Sequence, residues 1–214
     1  MKIVERLLGV EKRAQTFVLS TNVIEMRILF LTDDIVRIRA GFTGDFAEES
    51  YSLVMTAWED RMDEVLKGYR HRITPADAVM TEDASKVVLQ GTKLKVVVQK
   101  DPFLLQIYDE EGTLLHEDIP YRGWLCDSNG RRIHTCVMEN ADNYYGFGER
   151  TGELNKRESF MQTAPGDCMG YNPEKTDALY KHIPFYLKLN ESTKKAVGYF
   201  YHTTWECDFN MGRS

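Results

Sequence analysis

Residues Val87 to Glu117 read VVLQGTKLKVVVQKDPFLLQIYDEEGTLLHE. Two short apolar runs, Val87 to Leu89 and Leu94 to Val98, flank Gln90-Gly91-Thr92-Lys93, which has the composition of a hairpin connection. Two more, Phe103 to Tyr108 and Leu114 to Glu117, flank Asp109-Glu110-Glu111-Gly112, where the glycine can take a positive φ. In Leu94-Lys95-Val96-Val97-Val98 the alternation is partial, as it is in a sandwich strand with one face well buried. The same punctuation recurs on both sides. Val23 to Leu31 and Ile35 to Ala40 flank Thr32-Asp33-Asp34, and Phe185 to Leu189 and Ala196 to His202 flank Asn190-Glu191-Ser192-Thr193. Tyr51 to Thr56 adds one short apolar run. Short strands with turns at regular intervals predict an all-β antiparallel sandwich. The one stretch that reads as helix is Trp58 to Lys67, WEDRMDEVLK.

The chain has 214 residues, enough for one large core or two small ones. It is 43% apolar and 28% charged with a formal charge of −6, and its Lys and Arg are interspersed with Asp and Glu. There is no basic stripe of the kind that nucleic acid selects. MKIVERLLGVEKRAQ at the N-terminus carries charges inside its apolar stretch and lacks a signal-peptide core. No run approaches the roughly 18 apolar residues of a membrane helix. A cytoplasmic chain without nucleic-acid or membrane partners is therefore expected. Cys126, Cys136, Cys168 and Cys207 show no C-x-x-C spacing and read as free thiols, with a Cys126–Cys136 bridge or metal pair as the alternative. No repeat, low-complexity tract or linker interrupts the chain, so residues 1–214 are expected to be one domain.

The last third is dense in residues that local structure does not demand. It contains Tyr145-Gly146-Phe147-Gly148-Glu149-Arg150-Thr151-Gly152, then Leu154-Asn155-Lys156-Arg157, then Pro165-Gly166-Asp167, then Thr176-Asp177-Ala178-Leu179-Tyr180-Lys181 leading into Ile183-Pro184-Phe185. The order and spacing of these blocks over about seventy residues resemble the N-terminal β-domain of glycoside hydrolase family 31, the α-glucosidase and α-xylosidase family. The resemblance implies a galactose mutarotase-like β-sandwich, ending here before its last strands.

It also implies an accessory role. Retaining glycosidases need two carboxyl groups about 5–5.5 Å apart. In the family these stand on a (β/α)8 barrel, the nucleophile in a Trp-x-Asp-Met-Asn-like segment. A barrel takes about 250 residues with alternating helices, and the nearest string here, Phe209-Asn210-Met211, lacks the Asp. The chain by itself is thus expected to carry no catalytic residues, no cofactor and no metal. Its partner would be an α-glucoside or α-xyloside once joined to a barrel, and an unpaired sheet edge would favour self-association.

By the resemblance, the segment from Met161 to Thr176 reaches over the barrel mouth. Asp167, presented by Pro165-Gly166, and Tyr171 are the substrate-binding candidates. A carboxylate accepts charge-assisted hydrogen bonds from sugar hydroxyls, and a tyrosine ring stacks on a sugar face. An Asx-type turn and a packing aromatic are the bland alternatives. Glu149, Arg157, Asp177 and Tyr180 are expected to support the loop, Glu149 by binding backbone or Arg157. Two positions depart from the family, Glu158 where it has Gly and Ala178 where it has Pro. The mutarotase-like fold also raises a small aldose epimerase, with a carboxylate base and a histidine acid, and a stand-alone carbohydrate-binding module. None of His71, His116, His134, His182 and His202 lies in a recognisable motif for the former, so each reads as a packing or surface histidine.

Overall fold

The computed structural model describes residues 1–67, 70–163, 166–174, 176–177 and 179–213. The chain divides into two compact units, Met1–Val137 and Met138–Ser214. Unit 1 runs β1 (Lys2–Ile3), β2 (Leu7–Arg13), β3 (Thr16–Thr21), β4 (Glu25–Thr32), β5 (Ile35–Ala40), β6 (Met55–Thr56), α1 (Met62–Val65), β7 (His71–Arg72), β8 (Val79–Glu82), β9 (Lys86–Gln90), β10 (Leu94–Lys100), β11 (Phe103–Asp109), β12 (Leu114–Glu117), β13 (Trp124–Cys126) and β14 (Arg132–His134). Unit 2 holds β15 (Asp142–Gly148), β16 (Phe160–Thr163), β17 (His182–Asn190), β18 (Lys195–Phe200) and β19 (Cys207–Asn210).

Unit 1 is a sandwich of two antiparallel sheets, β2-β3-β4-β5 and β12-β11-β10-β9-β8, with small β1-β13-β14 and β6-β7 sheets beside them. The period-2 pattern does the sorting. Val87 and Leu89 of β9, Val96 and Val98 of β10 and Leu105 of β11 join Phe17, Leu19, Met26, Ile28 and Phe30 of β3 and β4 in one buried cluster. Each such side chain contributes on the order of 1.5–3 kcal/mol by leaving water. The turn after β9 closes by Gly91 N–H donating to the Leu94 carbonyl at 2.9 Å. A Cβ on Gly91 would stand 2.9 Å from the Phe30 ring, so glycine is there for close packing. In the next turn the Asp109 carboxylate accepts from the backbone N–H groups of Glu111 and Thr113, and Gly112 has φ 83°.

The hairpin expected around Thr32-Asp33-Asp34 is formed by β4 and β5. The β2–β3 hairpin was not anticipated: β2 is largely exposed, so its sequence carries no apolar alternation. The expected Tyr51–Thr56 strand shrinks to Met55–Thr56, paired in parallel with β7. The helix expected over Trp58–Lys67 is a single turn, α1. Its acidic side chains serve tertiary contacts instead of a helix face. Asp60, almost wholly buried, pairs with Arg70, and Asp63 pairs with Arg70 at 2.8 Å and with Arg72. Among the described residues no helix is long and apolar enough to cross a membrane.

This ion cluster makes a testable acid limb. The Arg70 hydrogen bond holds the Asp60 carboxyl below its ordinary 3.8, and the Asp60 backbone N–H, aided by Arg72, does the same for Asp63. A carboxyl lowered by folding adds stability above its unfolded value and loses it as pH falls through the folded one. Urea midpoints of the wild type and of Asp60→Asn should therefore differ by a constant amount from neutrality to about pH 5 and converge below about pH 3.8. A gap that persists unchanged into the acid range would assign the cluster no electrostatic role.

Unit 2 pairs β15 with β17 and β17 with β18, and separately β16 with β19. Tyr144, Phe147, Met161, Tyr186, Phe209 and Met211 form its core. Tyr186 stacks between Phe147 and Tyr199, with ring centroids 4.9 Å from each. The hairpin at Asn190–Thr193 is formed as expected, with Asn190 Oδ1 accepting from the N–H of Ser192 and Thr193 at 3.0 Å. Other polar anchoring is buried: Asp142 accepts from Asn190 Nδ2 and from the Glu139 N–H, each at 2.9 Å.

Candidate functional site

The Gly146-Phe147-Gly148 segment ends β15 in a bulge, with a register shift against β17. All three residues have positive φ, 127°, 70° and 81°. Both glycines are required by close approach. A Cβ on Gly146 would lie 2.8 Å from the Phe185 carbonyl oxygen, and one on Gly148 would lie 2.1 Å from the Lys181 carbonyl oxygen. The bulge turns Phe147 into the core and sends Glu149 and Arg150 toward the roots of the loop that follows β16.

These roots are tied by charge and backbone. Glu149 donates its N–H to the Lys181 carbonyl at 2.9 Å and accepts the Lys181 N–H on its carboxylate at 3.1 Å. Of the two partners expected for Glu149, the backbone is the one observed. Arg157 instead donates to the carbonyls of Glu139 and Asp142, each at 2.8 Å, because Asn155 holds that corner by accepting from the N–H groups of Tyr144 and Arg157. Arg150 crosses the loop base, its side chain 2% exposed. It donates to the Gln162 carbonyl at 2.6 Å and to Asp177 at 3.0 Å. Its Nη2 is buried, with no hydrogen-bond partner among the described residues. Lys156 is also buried and donates to the carbonyls of Thr151, at 2.7 Å, and Glu153. Burial pushes its ammonium below the ordinary lysine range, Arg150 adds to this, and Asp177 opposes it.

The loop itself begins later than expected. Met161 to Thr163 belong to β16, with Met161 in the core and the strand paired to β19. Pro165 and Ala178 lie outside the described residues. The phenol of Tyr180 donates to Asp167 Oδ1 at 3.1 Å, with both groups exposed. The structure thus joins one expected substrate-binding residue to one expected loop-supporting residue. Tyr171 is 53% exposed and Tyr180 55%. Thr176 is held by Asn172, whose carbonyl accepts the Thr176 N–H at 2.9 Å.

A second polar cluster lies in unit 1 and was missed by sequence reasoning, which treated its histidines as packing groups. Asp118 is fully buried. Its Oδ1 accepts from Nε2 of His116 at 3.0 Å and of His134 at 2.9 Å, and its Oδ2 accepts from Trp124 Nε1 at 2.6 Å. Burial alone would raise this carboxyl, but the two histidine hydrogen bonds hold it below the usual range. It is therefore an acceptor toward all three donors. No sequence signal marks Asp118, since the partners are brought to it by the pairing of β13 with β14 and by the Asp118–Cys136 bridge. None of Cys126, Cys136, Cys168 and Cys207 is joined in a disulfide.

The β-sandwich of unit 1 and the bulged sheet of unit 2 belong to a known architecture. A GH31 dextranase of Flavobacterium johnsoniae, in complex with isomaltotriose, superposes with a TM-score of 0.78 at 24% identity, over 99% of this chain and 24% of that one. The cycloalternan-forming enzyme of Listeria monocytogenes, in complex with a pentasaccharide substrate, gives 0.66 at 16% identity, over 87% of this chain and 16% of that one. At the level of sequence, residues 25–210 match the glycosyl hydrolase 31 N-terminal galactose mutarotase-like domain, and the chain belongs to that family. Alpha-glucosidase 2 of Bacillus thermoamyloliquefaciens is 31% identical over 203 residues, 92% of this chain. The chain spans only 22% of the length of that relative. The isomaltosyltransferase of Sporosarcina globispora is 28% identical over 141 residues, 62% of this chain and 12% of its own.

Proposed function

We propose that this chain works as the accessory N-terminal domain of a retaining, α-glucosidase-like hydrolase, and that its loop 166–177 contributes to the sugar subsite of the catalytic barrel. The observation that carries this reading is the Tyr180–Asp167 contact at 3.1 Å. A carboxylate oriented by a phenol, with an exposed tyrosine ring at Tyr171 nearby in sequence, is the equipment for binding a sugar rim and face. The loop's roots are fixed through Glu149 and Arg150–Asp177, which limits the conformational entropy lost on binding. The substrate class is an α-linked glucoside or xyloside. We place the protein in the cytoplasm, since four cysteines outside any disulfide suit a reducing compartment.

The test joins residues 1–214 to a family 31 catalytic barrel and compares Asp167→Ala with the parent on maltose and isomaltose. Losing a charged hydrogen bond of about 1.5–3 kcal/mol should lower kcat/KM by roughly 10- to 150-fold. Stability should stay within about 0.5 kcal/mol, as for exposed loop residues in general. Normal kcat/KM with a melting temperature several degrees lower would make Asp167 a turn-capping residue and remove it from the subsite.

A further inference from the structure

We infer that His116, Asp118 and His134 form a binding site for a divalent transition-metal ion of the zinc class. One ligand atom from each of the three residues lies within 4.8 Å of the others. Both nitrogens already converge on one carboxylate oxygen at 3.0 and 2.9 Å. Zinc bonds of about 2.0–2.1 Å to nitrogen and oxygen place tetrahedral ligands roughly 3.3 Å apart. The nitrogen–oxygen pairs therefore need to open by only a few tenths of an ångström to admit an ion. Each ring then carries its proton on Nδ1, leaving the Nε2 lone pair for the metal.

The donor set selects the ion. Two imidazoles and one carboxylate suit zinc and its neighbours, whereas calcium and magnesium require a shell of oxygens. Three protein ligands leave a fourth position for water. The outer contacts are of the kind that orient ligands. Trp124 Nε1 holds Oδ2 at 2.6 Å, and the Trp124 ring stacks on His134 with centroids 4.2 Å apart. The approach of β13 depends on Gly123, where a Cβ would meet Asp118 Cβ at 2.9 Å. His116 is on β12 and His134 on β14, so a bound ion would fasten two different sheets of unit 1 to each other. The site is distant in the sequence from the sugar loop and does not rest on the proposal made for it.

The chelator-treated chain is titrated with Co2+ alone and then with Zn2+ as competitor. The expected result is visible ligand-field absorption that saturates at one equivalent and is displaced by Zn2+. The Cys126→Ser/Cys136→Ser variant should behave like the wild type, and His134→Gln should bind at least about tenfold more weakly. Proton NMR of the wild type with Zn2+ supplies a readout that needs no variant: two of the five histidines should shift their ring resonances. Absence of saturable binding overturns the site. So does binding that survives His134→Gln unchanged, binding lost in the cysteine variant, or uniform broadening of all histidines.

Discussion

Gly148→Ala should destabilise unit 2 by roughly 3 kcal/mol or more, combining the strain of a positive φ with a forced backbone shift. The added Cβ would meet the Lys181 carbonyl oxygen at 2.1 Å, at a residue with φ 81°. That neighbour is backbone, so no rotamer change relieves the contact. Relief requires β15 and β17 to separate where Gly148 pairs with His182, and this would also break the Glu149–Lys181 bonds that root the loop. Gly152→Ala is the internal control. It has a similar φ of 76° and nothing within 4 Å of its Cβ, so only the backbone cost of about 1 kcal/mol applies. Hydrogen exchange of the β15 and β17 amides reads the two variants separately from unit 1. Equal effects at both glycines would mean that the close approach to Lys181 carries no energetic weight.

Asp118→Ala should cost unit 1 about 3–5 kcal/mol, because a buried charge partner is removed and its donors are left without an acceptor. Those donors are Nε2 of His116, Nε2 of His134 and Nε1 of Trp124. Asp118→Asn should fall between alanine and the wild type. Its amide keeps one oxygen acceptor but sets an N–H against a donor on the other side. Urea unfolding of the chelator-treated chain, followed by near-ultraviolet circular dichroism, measures the order. An alanine variant within about 1 kcal/mol of the wild type would show that water replaces the carboxylate at little cost.

The two residues illustrate different degrees of legibility. Gly146 and Gly148 stand in a motif whose order along the chain pointed to the family. Asp118 was not readable at all. It follows β12 as one acid among many, and its meaning comes from partners 2, 6 and 16 residues away that sheet pairing brings together. The loop falls between these cases. Asp167, Tyr171, Asp177 and Tyr180 were singled out by position, yet the pairing of Tyr180 with Asp167 and of Arg150 with Asp177 could not be inferred from spacing.

What the sequence by itself determined was the strand content, the main hairpins and the family. Alternation in β4, β9 and β10 is imposed by burial of one face, and turn residues fall where φ or hydrogen bonding demands them. What only tertiary structure decided were the elements whose local preference is weak or outvoted. Trp58–Lys67 has helical composition, but its carboxylates are drawn to Arg70 and Arg72 and only Met62–Val65 remains helical. β2 ends in the exposed charged run Glu11-Lys12-Arg13, shows no apolar alternation, and exists because β3 supplies its hydrogen bonds. The His116–Asp118–His134 cluster likewise arises from strands separated in sequence. Side-chain periodicity is a local property that a sequence displays directly, whereas convergence of polar groups is a property of register and packing and emerges only when the sheets assemble.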